Sequence, residues 1–258
     1  MSLLAFGCSS PGQRIDDLAH AAQLSRRIVE GTHFEHIVYA NANALGSNDQ
    51  RLFVFLDGDG RPWDADGLRP SKDPTTRHPI ALQLLMRTQA PAIYISRPCY
   101  QQRTEAACSS RLWTQARYSE EVVASIASAI RKIAAERSAT NLGLIGYSGG
   151  GVLAVLVAER LDGVSSVMTL GANLDVDAWT AEHSYLPLDE SLNPARSERT
   201  HPWIETHLQG ARDTVVPSAT TDAYFVRYPA ARRQLLATYD HSCCWVDDWP
   251  SLQELAIR

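Results

Sequence analysis

The stretch LGLIGYSGGG places Ser148 at the centre of the pattern Gly-x-Ser-x-Gly. A buried apolar strand is predicted directly before it, over residues 141–147, and an apolar helix after it, over about 152–161. A strand–turn–helix of this kind holds a serine hydroxyl out of a tight turn, where side chains at Gly146 and Gly150 would collide with neighbouring backbone. The pattern predicts a nucleophilic serine, and the alternative is a glycine-rich turn that only starts a helix.

A base and an orienting acid follow Ser148 in the order that such sites use. A serine hydroxyl is a weak nucleophile unless a neighbouring base takes its proton, and strand–turn–helix sites run serine, acid, histidine. Asp213 ends a predicted strand in GARDTVVP, and His241 follows the last predicted strand in ATYDHSCCW. We therefore predict that Asp213 orients His241, which takes the proton from Ser148 and later returns it to the leaving group.

Other acids and histidines are weaker candidates. Asp175 and Asp177 follow the strand after the nucleophile and are the alternative acids, although position favours Asp213. Asp240 adjoins His241, but the side chains of adjacent residues point apart. The remaining candidates for the base lie in a loop-rich segment or inside a strand: His183, His201 and His207.

Two backbone N–H groups are predicted to bind the negative oxygen that forms during attack on a carbonyl. One belongs to Gly149, and the other to Asp59 in the DGDG turn after the strand LFVFL. Carboxylates beside this oxygen would oppose it, so Asp57 or Asp59 is expected to be paired, with Arg61 or Arg97 as the partner. A plain turn at the end of a strand is the alternative interpretation of DGDG.

Short β-rich runs alternate with helical runs along the chain, which predicts an α/β fold with a mostly parallel sheet and helices on both faces. Helices are predicted over residues 13–31, 80–88, 120–137, 152–161 and 218–228. Strands are predicted over residues 34–44, 51–56, 92–96, 141–147, 164–170, 204–208 and 234–238. Residues 13–258 are expected to form one domain, with a short cap-like insertion at about 172–201.

Composition excludes several classes of function. The formal net charge of −5 and the lack of any basic block argue against a nucleic-acid partner. No apolar run reaches the roughly 20 residues that span a bilayer. Histidines and cysteines lack the paired spacing of zinc sites, and no Walker or dinucleotide-binding glycine motif is present, so neither metal nor cofactor is expected.

The N-terminal string LAFGCSS is similar to the end of a bacterial lipoprotein signal, in which the cysteine is lipidated. Only seven residues precede Cys8 and none is basic, whereas a working signal has a longer apolar core and a positive start. Two interpretations of residues 1–12 stay open. Either they are the remnant of a signal whose lipidated Cys8 anchors the protein to a membrane, or they are an unstructured terminus of a cytoplasmic protein.

The four other cysteines are an even number, which is typical of an exported, oxidised protein. Cys99 and Cys108 are close enough in sequence to close a small loop. Cys243 and Cys244 are adjacent, and a bond between neighbours is geometrically demanding. Four reduced thiols in the cytosol are the alternative, and the connectivity stays open.

Several stretches together resemble α/β-hydrolase-fold proteins, and more closely a group of mostly uncharacterised bacterial predicted lipoproteins with that fold. The matching stretches are LDGDGRPW, KDPTTRHPIAL, YISRPCY, WTQARYSEEVV, GYSGGG, GANLDVDAW, SLNPA and HSCCW. They cover about residues 50–250, and Asp57 stands where the group often has glutamate. The resemblance implies the α/β-hydrolase fold, the triad of Ser148, His241 and Asp213, and a location in the cell envelope or periplasm.

The expected activity is cleavage of a small-molecule carboxylic ester or thioester through an acyl-enzyme. One alternative is a non-catalytic envelope module that uses the fold for binding, and another is an acyltransferase with the same triad. Trp113, Trp179 and Trp245 are candidates to line an acyl pocket, and core or interface packing is the other interpretation of these aromatics. The oligomeric state stays open.

Overall fold

The computed structural model describes residues 9–46, 48–101, 105–198 and 203–257. Within these residues, strands form one eight-stranded sheet. The strands are β1 (Ser25–Glu30), β2 (Glu35–Ala40), β3 (Arg51–Leu56), β4 (Ala92–Ile95), β5 (Asn141–Tyr147), β6 (Val164–Leu170), β7 (Ile204–Gly210) and β8 (Arg232–Leu236). Their order across the sheet is β1-β2-β4-β3-β5-β6-β7-β8.

The sheet is mostly parallel. The pairs from β4 through β3, β5, β6 and β7 to β8 are parallel, while β1 pairs with β2, and β2 with β4, in antiparallel fashion. Leu56 at the end of β3 stands opposite Gly146, and Tyr147 at the end of β5 stands opposite Leu170. The segments that follow these parallel strands therefore meet at one edge of the sheet, where such folds bind ligands.

Helices cover both faces of the sheet. They are α1 (Pro11–Ala21), α2 (Ala42–Gly46), α3 (Ile80–Met86), α4 (Glu120–Arg137), α5 (Gly149–Ala158), α6 (Val176–Glu182), α7 (Asp222–Arg227), α8 (Trp249–Leu252) and α9 (Glu254–Ile257). Side chains alternate along β3, so that Val54 joins a core cluster with α4 and α5, and Phe55 joins a cluster with α3 and α8. Every residue of α5 is buried, which explains its uninterrupted apolar sequence.

The prediction of one helix over residues 13–31 is wrong in its second half. The helix α1 ends at Ala21, and residues 25–30 form the edge strand β1. Only Val29 of β1 is buried, so the strand lacks the apolar alternation that identifies a strand in a sequence. Its charged residues instead form ion pairs with neighbouring helices, Arg26 with Asp16 of α1 at 2.8 Å and Arg27 with α4.

The segment 172–201 carries α6 and a short 3-10 turn at Pro194–Arg196. Across the described parts of the chain, none of the helices combines the length and the apolar character needed to traverse a bilayer. Cys8, the predicted lipidation site, lies outside the described residues.

Disulfide bonds join Cys99 to Cys108 and Cys243 to Cys244. The first closes the loop after β4, and the second joins adjacent residues shortly after His241. Both pairings are among those that the sequence left open. The two bonds differ in the length of chain that they close, with sequence separations of 9 and 1.

Replacing both Cys99 and Cys108 by alanine should lower the unfolding free energy by about 2–3 kcal/mol, because a loop of this length constrains the unfolded chain by that amount. The midpoint of thermal unfolding should fall by roughly 5–10 °C. The matched control is Cys243→Ala with Cys244→Ala, which opens almost no loop and should cost less. Intact mass without reductant should show wild type two hydrogens lighter per bond, and four free thiols in protein from an oxidising compartment would contradict both bonds.

Candidate active site

Ser148 lies in a tight turn between β5 and α5, with φ 53° and ψ −127°. This positive φ is uncommon for a residue with a side chain, and such strained backbone is found most often at functional sites. A Cβ atom on Gly146 would overlap the backbone of Gly150, so a glycine is required for the turn to close. The N–H of Ser148 donates to Leu170 O at 2.8 Å, which fixes the turn against β6.

The structure brings Ser148, His241 and Asp213 together. His241 Nε2 lies 3.1 Å from Ser148 Oγ, and His241 Nδ1 lies 2.8 Å from Asp213 Oδ2. The other oxygen, Asp213 Oδ1, accepts hydrogen bonds from the N–H groups of Val215 at 2.9 Å and Val216 at 2.8 Å. With Nδ1 protonated and facing the carboxylate, Nε2 is left as the acceptor that faces the serine hydroxyl.

The backbone of His241 is also fixed by contacts that the sequence did not reveal. Its carbonyl oxygen accepts hydrogen bonds from Tyr147 Oη and Trp245 Nε1, each at 2.9 Å. Gly171 adopts φ +57°, and a Cβ atom there would come within 3.2 Å of Asp213 Oδ2 and 3.4 Å of the imidazole. The position of Gly171 was a signal present in the sequence, since this glycine directly follows β6, the first strand after Ser148.

Two of the three tryptophans proposed for an acyl pocket belong to the core. Trp245 is fully buried and donates a hydrogen bond to the carbonyl oxygen of His241, and Trp113 is buried in the cluster on the α4 side of the sheet. Trp179 is partly buried beside the loop that carries Asp213, where its Nε1 donates to Val215 O at 2.8 Å. His183 Nε2 lies 2.9 Å from the same carbonyl oxygen, so this histidine has a structural contact.

The alternative acids are engaged elsewhere. Asp175 caps α6 by accepting hydrogen bonds from the N–H groups of Asp177 and of the next residue, each at 3.2 Å. Asp177 forms an ion pair with Arg196 at 2.6 Å. Asp240 Oδ1 accepts from the N–H groups of the two residues that follow His241, which lowers the pKa of this exposed carboxyl.

The other predicted histidine positions do not join the site. His207 is fully buried in β7, with Nδ1 2.8 Å from Thr169 Oγ1 and Nε2 3.1 Å from Glu205 Oε2, and it is a packed residue as expected. His201 lies outside the described residues. Among the residues that the structure describes, no group of three or more histidine, cysteine or acidic side chains is arranged to hold a metal ion.

The predicted oxyanion donors lie beside Ser148. A Cβ atom on Gly58 would come within 3.2 Å of Ser148 Cβ, which places the backbone of the DGDG turn directly against the serine. Gly149 begins α5, where the first N–H groups of a helix have no intrahelical acceptor and carry partial positive charge. In the described chain, the N–H of Asp59 likewise makes no hydrogen bond to another backbone group.

The carboxylate of Asp59 is paired, as expected, with Arg97. It also accepts a hydrogen bond from Arg117 Nη1 at 2.8 Å and one from Tyr118 Oη at 2.8 Å, neither of which the sequence indicated. The backbone N–H of Arg61, the other partner considered, donates to Pro74 O at 2.8 Å. Burial alone would raise the pKa of Asp59, but the charges of the two buried guanidinium groups outweigh it and lower the pKa to about 2.

Asp57, two residues earlier, has the opposite environment. Its carboxyl is buried, and Oδ1 accepts from the N–H of Gly58 at 3.0 Å. Burial raises the pKa of Asp57 to about 7, while the hydrogen bond from the N–H of Gly58 and the positive charge of Arg97 act in the other direction. The pKa values of the two carboxyls of one short turn are therefore displaced in opposite directions from that of a free aspartate.

No protein-family model matches the sequence, and no curated protein matches it. Solved structures do resemble the fold of this chain. An esterase from Pyrococcus furiosus, Pf2001, superposes with a TM-score of 0.64 at 12% identity, covering 98% of this chain and 93% of the esterase. An α/β serine hydrolase without lid from Xanthomonas campestris gives a TM-score of 0.56 at 11% identity over 90% of this chain and 92% of that protein.

The protein Est1E from Butyrivibrio proteoclasticus matches with a TM-score of 0.58 at 14% identity, covering 90% of this chain and 97% of Est1E. Likeness at such low identity establishes the fold. The chain has the α/β-hydrolase fold, which confirms the fold class that the sequence predicted.

Replacing Asp213 by asparagine should slow the reaction of Ser148 with a fluorophosphonate by roughly 10³–10⁴-fold, because the imidazole loses the acceptor that fixes its tautomer. Asp175→Asn is the matched control, since asparagine also caps helices well and this side chain caps α6. The rate should be followed by mass spectrometry of the labelled protein. Equal slowing in the two variants would exclude Asp213 as the specific partner of His241.

Asp57 should make the fold less stable as pH rises from about 4 to 7. In this range the folded protein still holds a proton on Asp57 that the unfolded chain has released, so the unfolding free energy falls by up to about 1.4 kcal/mol per pH unit. Urea unfolding at several pH values should show Asp57→Asn gaining stability relative to wild type across that range. Asp162→Asn, at an exposed position, is the control, and a pH-independent difference for Asp57→Asn would contradict the prediction.

Proposed function

We propose that this protein is a serine hydrolase that cleaves a small-molecule carboxylic ester or thioester through an acyl-enzyme intermediate. The observation that carries the proposal is the hydrogen-bonded chain from Ser148 through His241 to the buried Asp213, at the carboxyl edge of an α/β-hydrolase sheet. Structural neighbours named as an esterase and as an α/β serine hydrolase give independent support for hydrolase chemistry.

In the first half of the proposed reaction, Ser148 Oγ attacks the carbonyl carbon while its proton passes to His241 Nε2. The carbonyl oxygen becomes negative and accepts hydrogen bonds from the N–H groups of Gly149 and Asp59. The imidazolium, stabilised by Asp213, then protonates the leaving alcohol or thiol as the bond to it breaks. In the second half, His241 takes a proton from water as the water oxygen attacks the acyl carbon. The bond from that carbon to Ser148 Oγ then breaks, the imidazolium returns the proton to Oγ, and the acid leaves.

Two other functions use the same fold. A non-catalytic binding module would have no need for three bonded side chains at this edge, so the intact triad favours catalysis. An acyltransferase would share the first half of the reaction and differ only in which nucleophile takes the acyl group. Product analysis with water as the sole acceptor separates these two activities.

Apolar side chains near the loop that carries Asp213 are consistent with a substrate that contains an acyl group. Val215, two residues after Asp213, is 46% exposed, and its carbonyl is bonded to Trp179 of α6. The exposed Tyr185 lies with its ring 5.4 Å from that of Trp179, and Leu186 beside it is 72% exposed. We propose that these exposed apolar side chains contact the acyl group of the substrate.

We also propose that the protein acts in the cell envelope. The disulfide bond between Cys99 and Cys108 supports an oxidising compartment, since such bonds are rare in the cytosol of most cells. Attachment to a membrane through a lipidated Cys8 is part of this proposal. Fractionation of cells that make the natural protein tests it, and recovery in the cytosolic fraction with free thiols would contradict it.

The proposed activity is tested by labelling the protein with a fluorophosphonate probe and by measuring hydrolysis of p-nitrophenyl esters of increasing acyl length. Wild type should be labelled at Ser148, and Ser148→Ala and His241→Ala should each lose both labelling and hydrolysis by several orders of magnitude. A folded wild type that is neither labelled nor active would exclude catalysis. Labelling that survives in Ser148→Ala would place the nucleophile elsewhere.

A further inference from the structure

The turn that supplies the Asp59 N–H is fixed by a buried ionic cluster, defined here as Asp59, Arg97, Arg117 and Tyr118. The side chains of Arg97 and Arg117 are 4% and 6% exposed, and both guanidinium groups contact the Asp59 carboxylate. Tyr118 is fully buried and donates to both carboxylate oxygens at 2.8 Å. Each member of the cluster is therefore bonded to Asp59 in a water-poor environment.

The arginines are themselves held in position. Arg117 Nε donates to Thr114 O at 2.8 Å, and Arg97 Nη2 donates to Arg117 O at 3.1 Å. The main chain of Asp59 is fixed as well, because its carbonyl oxygen accepts a hydrogen bond from Tyr100 Oη at 2.9 Å. Side chain and carbonyl are both engaged, so the N–H is the backbone group of this residue that remains for a ligand.

The cluster touches the nucleophile's own turn. A Cβ atom on Gly149 would overlap Asp59 Oδ1 and would come within 2.5 Å of Tyr118 Oη, so the carboxylate packs directly on the Gly149 backbone. The carboxylate of Asp59 is therefore adjacent to both proposed oxyanion donors, which are the backbone N–H groups of Gly149 and of Asp59 itself. A single negative charge at this place would oppose a developing oxyanion, since the interaction is strong where water is excluded.

We propose that Arg97 and Arg117 are positioning residues for the oxyanion, which hold the Asp59 N–H beside Ser148 and give the cluster a net positive charge. This rests on the proposed function. One carboxylate and two guanidinium groups sum to +1, so the field at the donors favours the negative oxygen that the reaction forms. A role in folding alone would leave the reactivity of Ser148 unchanged in any variant that still folds.

The experiment measures the reaction of Ser148 with a fluorophosphonate probe over a range of concentrations, which separates binding (KI) from the covalent step (kinact). Arg117→Met keeps most of the volume and removes the charge, and it should lower kinact roughly 10–100-fold with KI within about twofold. Arg117→Lys keeps the charge but cannot bond both Asp59 and Thr114 O as the guanidinium does, and it should lower kinact about 3–10-fold.

The matched control is Arg160→Met, which removes an arginine that pairs with Glu120 at 2.5 Å near the other end of α5. It should leave kinact at the wild-type value. Folding of each variant is checked by circular dichroism and thermal unfolding, and if Arg117→Met fails to fold, Arg117→Lys decides. A folded Arg117 variant with wild-type kinact would overturn the positioning role, as would an equal loss in Arg160→Met.

The same measurement separates this proposal from the proposed function. If wild type is not labelled at Ser148, the hydrolase function fails and the positioning role fails with it. If wild type is labelled and kinact is unchanged in the folded Arg117 variants, only the positioning role fails.

Discussion

The close approach of α5 to the loops that end β3 and β6 is the constraint on which the site depends. Three consecutive glycines make it sterically allowed. A Cβ atom on Gly150 would overlap the carbonyl of Leu56, and one on Gly151 would overlap the side chain of Ala172. With α5 this close, its first N–H groups, the serine and the DGDG turn occupy one small volume. The first turn of α5 consists of glycines and therefore contributes no side chains to packing. Burial of the apolar residues that follow in α5 offsets this loss of stability.

The pKa values of the Asp57 and Asp59 carboxyls are determined by their surroundings, since both residues are aspartates. Asp57 and Asp59 are separated by one glycine, yet burial raises the pKa of the first while two guanidinium groups lower that of the second. The carboxylate of Asp213 is also buried, and it is bonded to two backbone N–H groups and an imidazole. The fold thus places three aspartates near one serine without leaving their negative charges unopposed at the point of reaction.

The sequence predicted the parallel core, and it singled out Ser148, His241 and Asp213, which the fold brings together, because both predictions depend on local signals. A strand buried on two faces is a continuous apolar run, and a tight turn needs glycine at fixed offsets. The strand β1 was not predicted, since an edge strand with a single buried residue, Val29, has no periodic pattern. Arg117 and Tyr118 were not predicted either, because they meet Asp59 across 58 and 59 residues of chain. Trp245 was ambiguous, since an indole packs equally well in a core or a pocket.

The two edges of the sheet share one composition. The strand β1 has the sequence SRRIVE and β8 has the sequence RRQLL, so each edge of the sheet carries a pair of adjacent arginines. Arg26 is paired with Asp16 on α1, and Arg233 is paired with Asp222 on α7 at 2.7 Å. A strand of another molecule that extended the sheet at either edge would meet like-charged side chains and compete with these pairs. The charged side chains of both edge strands therefore oppose edge-to-edge pairing of the sheets of two copies of this chain.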